Sequence, residues 1–449
     1  MHASSVSISR FHRAVVQAFG FARQFTAVLA LALPVGLSAQ THGVFTAVTY
    51  NVAGLPEGLS SSHPATNTPF IGQRLTNYDY VHVQEDFNSH AALYANDTHP
   101  FRTATSGGAG LGDGLNTLSD FPFTDFQRVT WSQRNGTDAL TPKGFTFHRV
   151  RLAEGVYVDF YNLHTNAGTA DADLSARASN ISQISRFISA NSAGNAVIVM
   201  GDTNTRYTRT GDNIRLLTSA NGLTDTWIQL IRNGDVPALG SPALVAGTVP
   251  HDTDEVVDKI FYRNSRLISF TPSDYHLDNP AFYHPTSGQP LSDHWPLFTT
   301  FAWRLNDGYR ASDLFGGPHG SLFNDIERLP GNAQVNTVTI RSGSRVDQVG
   351  VTLNNGLALA HGGNGGTAHS LNLASGEYLT SVRLDAGDYQ GHTRIFYIEF
   401  HTNFGRTLAG GSTTSSSVTY SAPAGWKITG FYGNQGDAVD KLGLIYTPL

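Results

Sequence analysis

Between Phe45 and Trp303, mostly apolar runs alternate with polar turns, and several runs end on a reactive group. FTAVTYN runs into Asn51, YVHVQE into Glu85, VYVDFYNLH into His164, and NAVIVMGDTN into Asp202 and Asn204. The core of the last run, AVIVM, is continuously apolar, the signature of a strand covered on both faces. DLSARASNISQISRFISAN differs: Leu174, Ala178, Ile181, Ile184 and Ile188 recur at three- and four-residue steps, which predicts an amphipathic helix. Strands mixed with a helix predict an α/β unit, in which reactive groups gather in crevices just past the strand ends. From about Tyr309 the texture changes. VNTVTI, VDQVGVTL, LTSVRL, TRIFYIEF, SVTYSA and WKITGFYG are short strand patterns between turns rich in Gly, Asn and Ser, which predicts a separate all-β domain.

The amino terminus is set apart. Arg10, Arg13 and Arg23 precede the apolar run Thr26 to Leu37, which ends in Ser38-Ala39. This is the pattern of a secretory signal peptide, expected over residues 1–40. The run is about a dozen residues, short of the roughly 20 that a membrane-spanning helix needs. The mature chain is therefore expected to be secreted, extracellular and without a transmembrane span. Sequons at Asn96, Asn135 and Asn180 are compatible with that route.

Composition narrows the chemistry. Glycine is abundant, at 46 of 449 residues, and charged residues make up only 14%, which favours β-rich architecture over helical bundles or disorder. The net charge is −6; residues 41–308 carry 17 basic against 25 acidic groups, and residues 309–449 carry 9 against 10. Neither part has the cationic surplus that tight binding of duplex nucleic acid usually requires. There are no cysteines, so disulfides, thiolate catalysis and Cys-ligated zinc are excluded.

The polar strand ends offer carboxylate and amide oxygens, which suit Mg²⁺ or Mn²⁺, and imidazoles, which suit proton transfer near neutral pH. Phosphodiester hydrolysis needs such a set: a cation on phosphate oxygen, a route for a proton of water, and donors that stabilise developing charge.

In their order along the chain, TYNVAG (49–54), VQED (83–86), GLNTLSDFP (114–122), YNLHTNAG (161–168), GDTNTR (201–206), VVDKIFY (256–262) and SDHWP (292–296) resemble the motifs of the endonuclease/exonuclease/phosphatase superfamily. The resemblance covers roughly residues 44–303 and implies the deoxyribonuclease I-like fold, a four-layer α/β sandwich, over a domain spanning 41–305. It implies that Asn51 and Glu85 hold the metal and that Asp293 sits at or near it. It further implies that Asp202 and Asn204 orient water and contact phosphate, that His164 serves the phosphoryl group and is held by Asp258, that His294 is the second imidazole, and that Asp120 orients His294. Two departures stand out. Thr165 and Asn166 replace residues usually apolar or small, which is expected to alter the pocket wall, and DEVVDK lacks the W-x-D-R signature of inositol polyphosphate 5-phosphatases.

In the second part, FGGPHGSLFNDI (315–326), HGGNGG (361–366) and GNQGDAVDKLGLIY (433–446) bring paired glycines and a carboxylate, Asp440, able to accept hydrogen bonds from two sugar hydroxyls. Together they resemble the jacalin-related lectins across 309–449, which implies a β-prism of three Greek-key sheets. The implied sugar contacts are the Gly316-Gly317 loop, the Gly436 to Asp440 loop with the amides of Asp437 and Ala438, and the Asp440 carboxylate.

The expected function is a secreted, metal-dependent phosphodiesterase acting on nucleic acid or on a phospholipid such as sphingomyelin, and targeted to glycans. The alternative is a carbohydrate-binding lectin whose nuclease-like domain is catalytically silent.

Overall fold

The computed structural model describes residues 40–107 and 112–449; the expected signal peptide lies outside them except for Gln40. Two six-stranded sheets form the first part. One runs β11 (Ile268–Leu277), β12 (Leu297–Leu305), β1 (His42–Asn51), β2 (Tyr80–Gln84), β4 (Asn116–Ser119), β3 (Phe101–Arg102). The other runs β5 (Phe123–Thr130), β6 (Gly144–Ala153), β7 (Val156–His164), β8 (Ala196–Asp202), β10 (Asp258–Arg263), β9 (Thr224–Asp225). The parallel pairs β1–β2 and β7–β8 lie at the centres.

Because side chains alternate along a strand, each central strand presents one row to the opposite sheet. Those rows turn polar towards one end: Phe45, Ala47, Thr49, Asn51 on β1; Tyr80, His82, Gln84 on β2; Phe160, Asn162, His164 on β7; Ile198, Met200, Asp202 on β8. Phe45 meets Phe160 across the sandwich, and the Tyr80 ring packs tilted against Phe160 with ring centroids 4.0 Å apart. One step up, Gln84 Nε2 donates to Asn162 Oδ1 at 2.8 Å, and Asn162 Nδ2 donates to the carbonyls of Val83 and Asn116. The apolar half clamps the sheets together; the polar half opens into the site.

Helices cover both outer faces and make four layers. Ile71, Leu75 and Leu93, from Pro64–Leu75 and His90–Asn96, pack on Val48, Tyr50, Val81 and Val83. The predicted amphipathic helix is Asp171–Asn191, and Ile181, Ile184 and Ile188 are wholly buried, worth about 1.5–3 kcal/mol each. Its buried face also contains Arg177, which lies on the apolar stripe three residues after Leu174 and four before Ile181, and Asn180 at the edge of that stripe. Arg177 donates to Asp212 at 2.8 Å and to the carbonyls of Asn166 and Gly168, so the charge is paired in the core. Asn180 donates to the Gln133 carbonyl and accepts from Asn166 N, so this sequon is closed in the folded chain.

The remainder contains no helix among the described residues. Thr407–Gly411, His392–Thr402, Leu379–Tyr389 and Ser416–Ser421 lie side by side in that order, and so do Ala358–Gly362, Val346–Leu353, Val335–Ser342 and Thr367–Asn372. Both orders are Greek keys. The third face is built on the Trp426–Gln435 and Val439–Pro448 hairpin, with the short strands Arg310–Ala311, Phe315–Gly316 and Ser321–Asn324 added along it. One bridge, Leu379 to Ile428, joins it to its neighbour. Three faces around one apolar core make a prism.

Gln40–Leu449 forms a single compact unit, and the seam between its halves is charged. Arg151 grips Asp313 through two hydrogen bonds, of 2.8 and 2.7 Å. Lys441 Nζ reaches Asp125 at 2.5 Å with both side chains almost fully buried. Removing one partner of a buried pair strands the other charge. Lys441→Ala is therefore expected to lower stability by about 3–5 kcal/mol in a urea titration; an unchanged midpoint would show that the seam does not depend on this pair.

Candidate active site and sugar-binding site

Asn51, Glu85, His164, Asp202, Asn204, Asp258 and His294 come together at the polar end of the sandwich. Three of the loops leaving it start with a left-handed backbone: Ala53 (φ 49°), Glu85 (φ 58°) and Asn204 (φ 48°). Such conformations cost about 1–3 kcal/mol each in non-glycine residues and cluster where a site over-determines the chain. Gly54 permits a close approach, since a Cβ there would lie 2.3 Å from the Glu85 carbonyl.

Asn51 is the hub. Its Nδ2 donates to Glu85 Oε1 and to Asp202 Oδ2, both at 3.2 Å, and its Oδ1 accepts from Ala53 N. Asp202 and Asp258 are directly paired across β8 and β10, so the strand register sets two carboxylates side by side. His294 comes from the turn before β12. Ser292 Oγ in that turn donates to the Asn51 carbonyl at 2.7 Å, while Leu291 is fully buried beneath.

His294 Nδ1 lies 2.8 Å from Asp258 Oδ2, which leaves Nε2 facing Asp202 Oδ2 at 3.7 Å. Burial works against a charged imidazole, but Asp258 and Asp202 outweigh it and raise His294 well above its ordinary pKa. Burial would also raise Asp202, yet His294, then His164 and Lys143, hold it well below the usual carboxylate range. Asp258 is raised by burial and by Asp202, against the pull of His294. Two carboxylates in contact are thus held with different proton affinities around one imidazole, a hallmark of acid–base sites.

This geometry corrects three expectations. Asp258 holds His294, not His164. Asp120 does not orient His294: it is exposed beyond β4, its neighbour Ser119 pairs with Tyr80 at the opposite end of β2 from Glu85, and its charge acts on His99. Asp293 is exposed; its Oδ2 accepts from Ser61 Oγ at 2.6 Å, and it lines the same cleft as Asp258 and His294, adding to the negative charge that acts on the imidazole. Thr165 and Asn166 are also not pocket wall. Both are buried, Thr165 donating to the Thr203 carbonyl and Asn166 accepting from Asn135 N.

The residue that sequence reasoning missed is Lys143. Its Nζ lies 3.0 Å from His164 Nε2 and 2.5 Å from Asp138, and it is buried. The same Nε2 is 3.3 Å from Asp202 Oδ2. One ring nitrogen cannot donate to Asp202 and accept from Lys143 at once. Lys143 stands at the start of β6 with no motif around it; only the pairing of β6 with β7 brings it to His164.

Asp202, Asp258 and His294 offer donor atoms within 4.8 Å of one another, the spacing of a metal-binding group. The Nδ1 hydrogen bond to Asp258 gives this trio a proton-handling geometry instead. Glu85, with its side chain about one-fifth exposed beside the Asn51 amide, is the carboxylate open to a hard cation.

Asp258→Asn is expected to move the His294 limb of the kcat/KM–pH profile towards acid, because removing a neighbouring anion lowers the imidazole pKa. An unmoved limb would dissociate the pair from turnover.

In the prism, Gly316 pairs with Lys441, and Gly317 N donates to the Asp440 carbonyl at 2.8 Å, so the two expected sugar loops meet. Gly436 N donates to the Ala438 carbonyl; Ala438 is buried and Asp437 exposed. Asp440 is buried, with Oδ1 3.2 Å from Arg394 Nη1. Burial raises this carboxyl, while Arg394, His319 and His392 oppose the rise. Arg394 and His392 arrive on a hairpin far away in sequence, which is why spacing did not reveal them.

Family models match residues 65–241 as Endonuclease/Exonuclease/phosphatase family 2 and residues 312–445 as a jacalin-like lectin domain. The chain joins an endonuclease/exonuclease/phosphatase domain to a jacalin-like lectin domain. A sphingomyelinase of Mycobacterium tuberculosis (strain ATCC 25618 / H37Rv) is 37% identical over 268 residues, covering 58% of this chain and 53% of the relative. The chain thus spans about half the length of that relative. Griffithsin, from Griffithsia sp., is 30% identical over 135 residues, covering 29% of this chain and 93% of that protein. Among solved structures, a beta toxin of Staphylococcus aureus with bound magnesium ions is 18% identical, covering 57% of this chain and 99% of that one, with a TM-score of 0.41.

Proposed function

We propose that this chain is a secreted, divalent-metal-dependent phosphodiesterase acting on a sphingomyelin-type phospholipid, held at glycan-bearing surfaces by its prism domain. The observation that carries the proposal is the Asp258–His294 pair aimed at Asp202, with His164 on the other side of the same carboxylate. A lectin with a silent partner domain would have no need to keep these groups within 4 Å of one carboxylate.

Glu85 and Asn51 would hold Mg²⁺ or Mn²⁺, which when bound supplies positive charge to a phosphate oxygen. Asp202, held ionised by its neighbours, orients the attacking water, and the backbone N–H of Asn204 fixes its Oδ1 at 2.9 Å. His294 carries the transferred proton at Nε2 because Nδ1 is committed to Asp258. His164 and Lys143 stabilise negative charge on the phosphoryl group from the opposite wall. A phospholipid is favoured over nucleic acid by the sphingomyelinase likeness and by the acidic balance of residues 41–308. Secretion rests on the sequence of residues 1–40 alone. The prism domain's part is to raise the local concentration of the enzyme at its substrate.

A substrate panel tests this reading. With Mg²⁺ present, sphingomyelin turnover is expected to exceed that of DNA and RNA by at least about 10²-fold, a gap of roughly 3 kcal/mol in transition-state binding. A preference for nucleic acid would overturn it.

A further inference from the structure

The loop between the helix Thr226–Leu230 and β10 is unusual. From Val236 to Pro250 it reads VPALGSPALVAGTVP, fifteen residues without a charge, in a chain where 14% of residues are charged. Val236, Leu239, Val245 and Val249 are four of the eleven large hydrophobic side chains exposed among the described residues. Val245, Gly247 and Pro250 line a cleft whose other wall is Asp258 and His294. Two more exposed apolar side chains sit on segments that reach the same site. Leu59 is two residues before Ser61, which bonds Asp293, and Leu140 lies between Asp138 and Lys143, which lead to His164.

We propose that the cleft face is a lipid-docking surface, with loop 236–250 inserting its apolar side chains into the interfacial zone of a zwitterionic bilayer. An exposed apolar cluster of this kind marks an interaction site, and its continuity with the catalytic cleft places that site where a membrane phosphodiester must enter. The charge pattern selects the surface. Docking on anionic lipid relies on Lys and Arg beside the apolar residues; this loop has neither, the cleft beside it sets Arg206 against Asp254, Glu255, Asp258 and Asp293, and the chain carries −6 overall. A phosphocholine surface, with no net charge, offers the apolar interior without repelling the protein. The proposal rests on the phospholipid reading above.

The full chain is tested by co-sedimentation with glycan-free phosphatidylcholine vesicles in EDTA, so that neither turnover nor the prism's sugar site contributes. Leu239→Asp/Val249→Asp alters two exposed positions of the loop that do not line the cleft with Asp258 and His294. It is expected to weaken vesicle binding by about tenfold or more, to slow hydrolysis of sphingomyelin in vesicles in proportion, and to leave hydrolysis of bis-p-nitrophenyl phosphate unchanged. Adding phosphatidylserine to the vesicles is expected not to strengthen wild-type binding. Equal binding by wild type and variant would overturn the loop proposal while leaving the phospholipid reading intact. A wild type that cleaves the soluble diester but ignores vesicles would overturn both. A wild-type dimer that the double substitution dissociates, measured by light scattering, would reassign the loop to a second copy of the chain and also overturn it.

Discussion

Chelation with EDTA is expected to lower phosphodiester hydrolysis by about 10³-fold or more, with Mg²⁺ or Mn²⁺ restoring it. The reason lies in the charge of the site. Glu85, Asp202 and Asp258 crowd the polar end of the sandwich, and Lys143, the nearest lysine, is already paired with Asp138. A phosphate anion entering this pocket meets more negative than positive charge, so a cation is needed to make its approach favourable. Glu85→Ala removes the open carboxylate and is expected to raise the Mg²⁺ concentration for half-maximal rate by at least tenfold. Hydrolysis undiminished in EDTA would exclude this role for Glu85 and Asn51.

His294→Ala is expected to reduce kcat by about 10³- to 10⁴-fold with little change in KM. The imidazole is the group whose proton is tuned by two carboxylates, and among the described residues no other imidazole pairs with Asp258. The variant should fold, because the turn is held by Leu291 and by Ser292 bonding the Asn51 carbonyl, not by the imidazole. Thermal unfolding within a few degrees of wild type would confirm that. A loss of less than tenfold would transfer the proton-handling role to His164.

Much of this was legible before the structure. The apolar runs ending on Asn51, Glu85, His164 and Asp202 located four groups of the site, since a buried strand is a rigid mount and the first polar residue past it has one place to go. The break in texture near residue 305 separated the two halves, because helix and strand periodicities cannot be exchanged. What periodicity could not give was the content of the buried polar positions. Arg177 and Asn180 are polar residues on the inner side of their helix, and they are tolerated there because Asp212, the Gln133 carbonyl and backbone groups from distant segments satisfy them.

Pairings across the sandwich are the other gap. Asp120 and Asp258 are equally plausible partners for a histidine when only their spacing is known. Strand register decides between them: Asp258 opposite Asp202 places a carboxylate under His294, and the antiparallel run of β4 carries Asp120 to the far end. The sequence by itself determined which strands carry reactive ends, where the two halves divide, and that their chemistry uses oxygen and imidazole ligands without thiols. Only the tertiary structure decided which carboxylate meets which imidazole, that Lys143 joins them, and that an uncharged loop borders the cleft. Periodicity is written by neighbours along the chain; proton affinities and docking faces are set by neighbours through space.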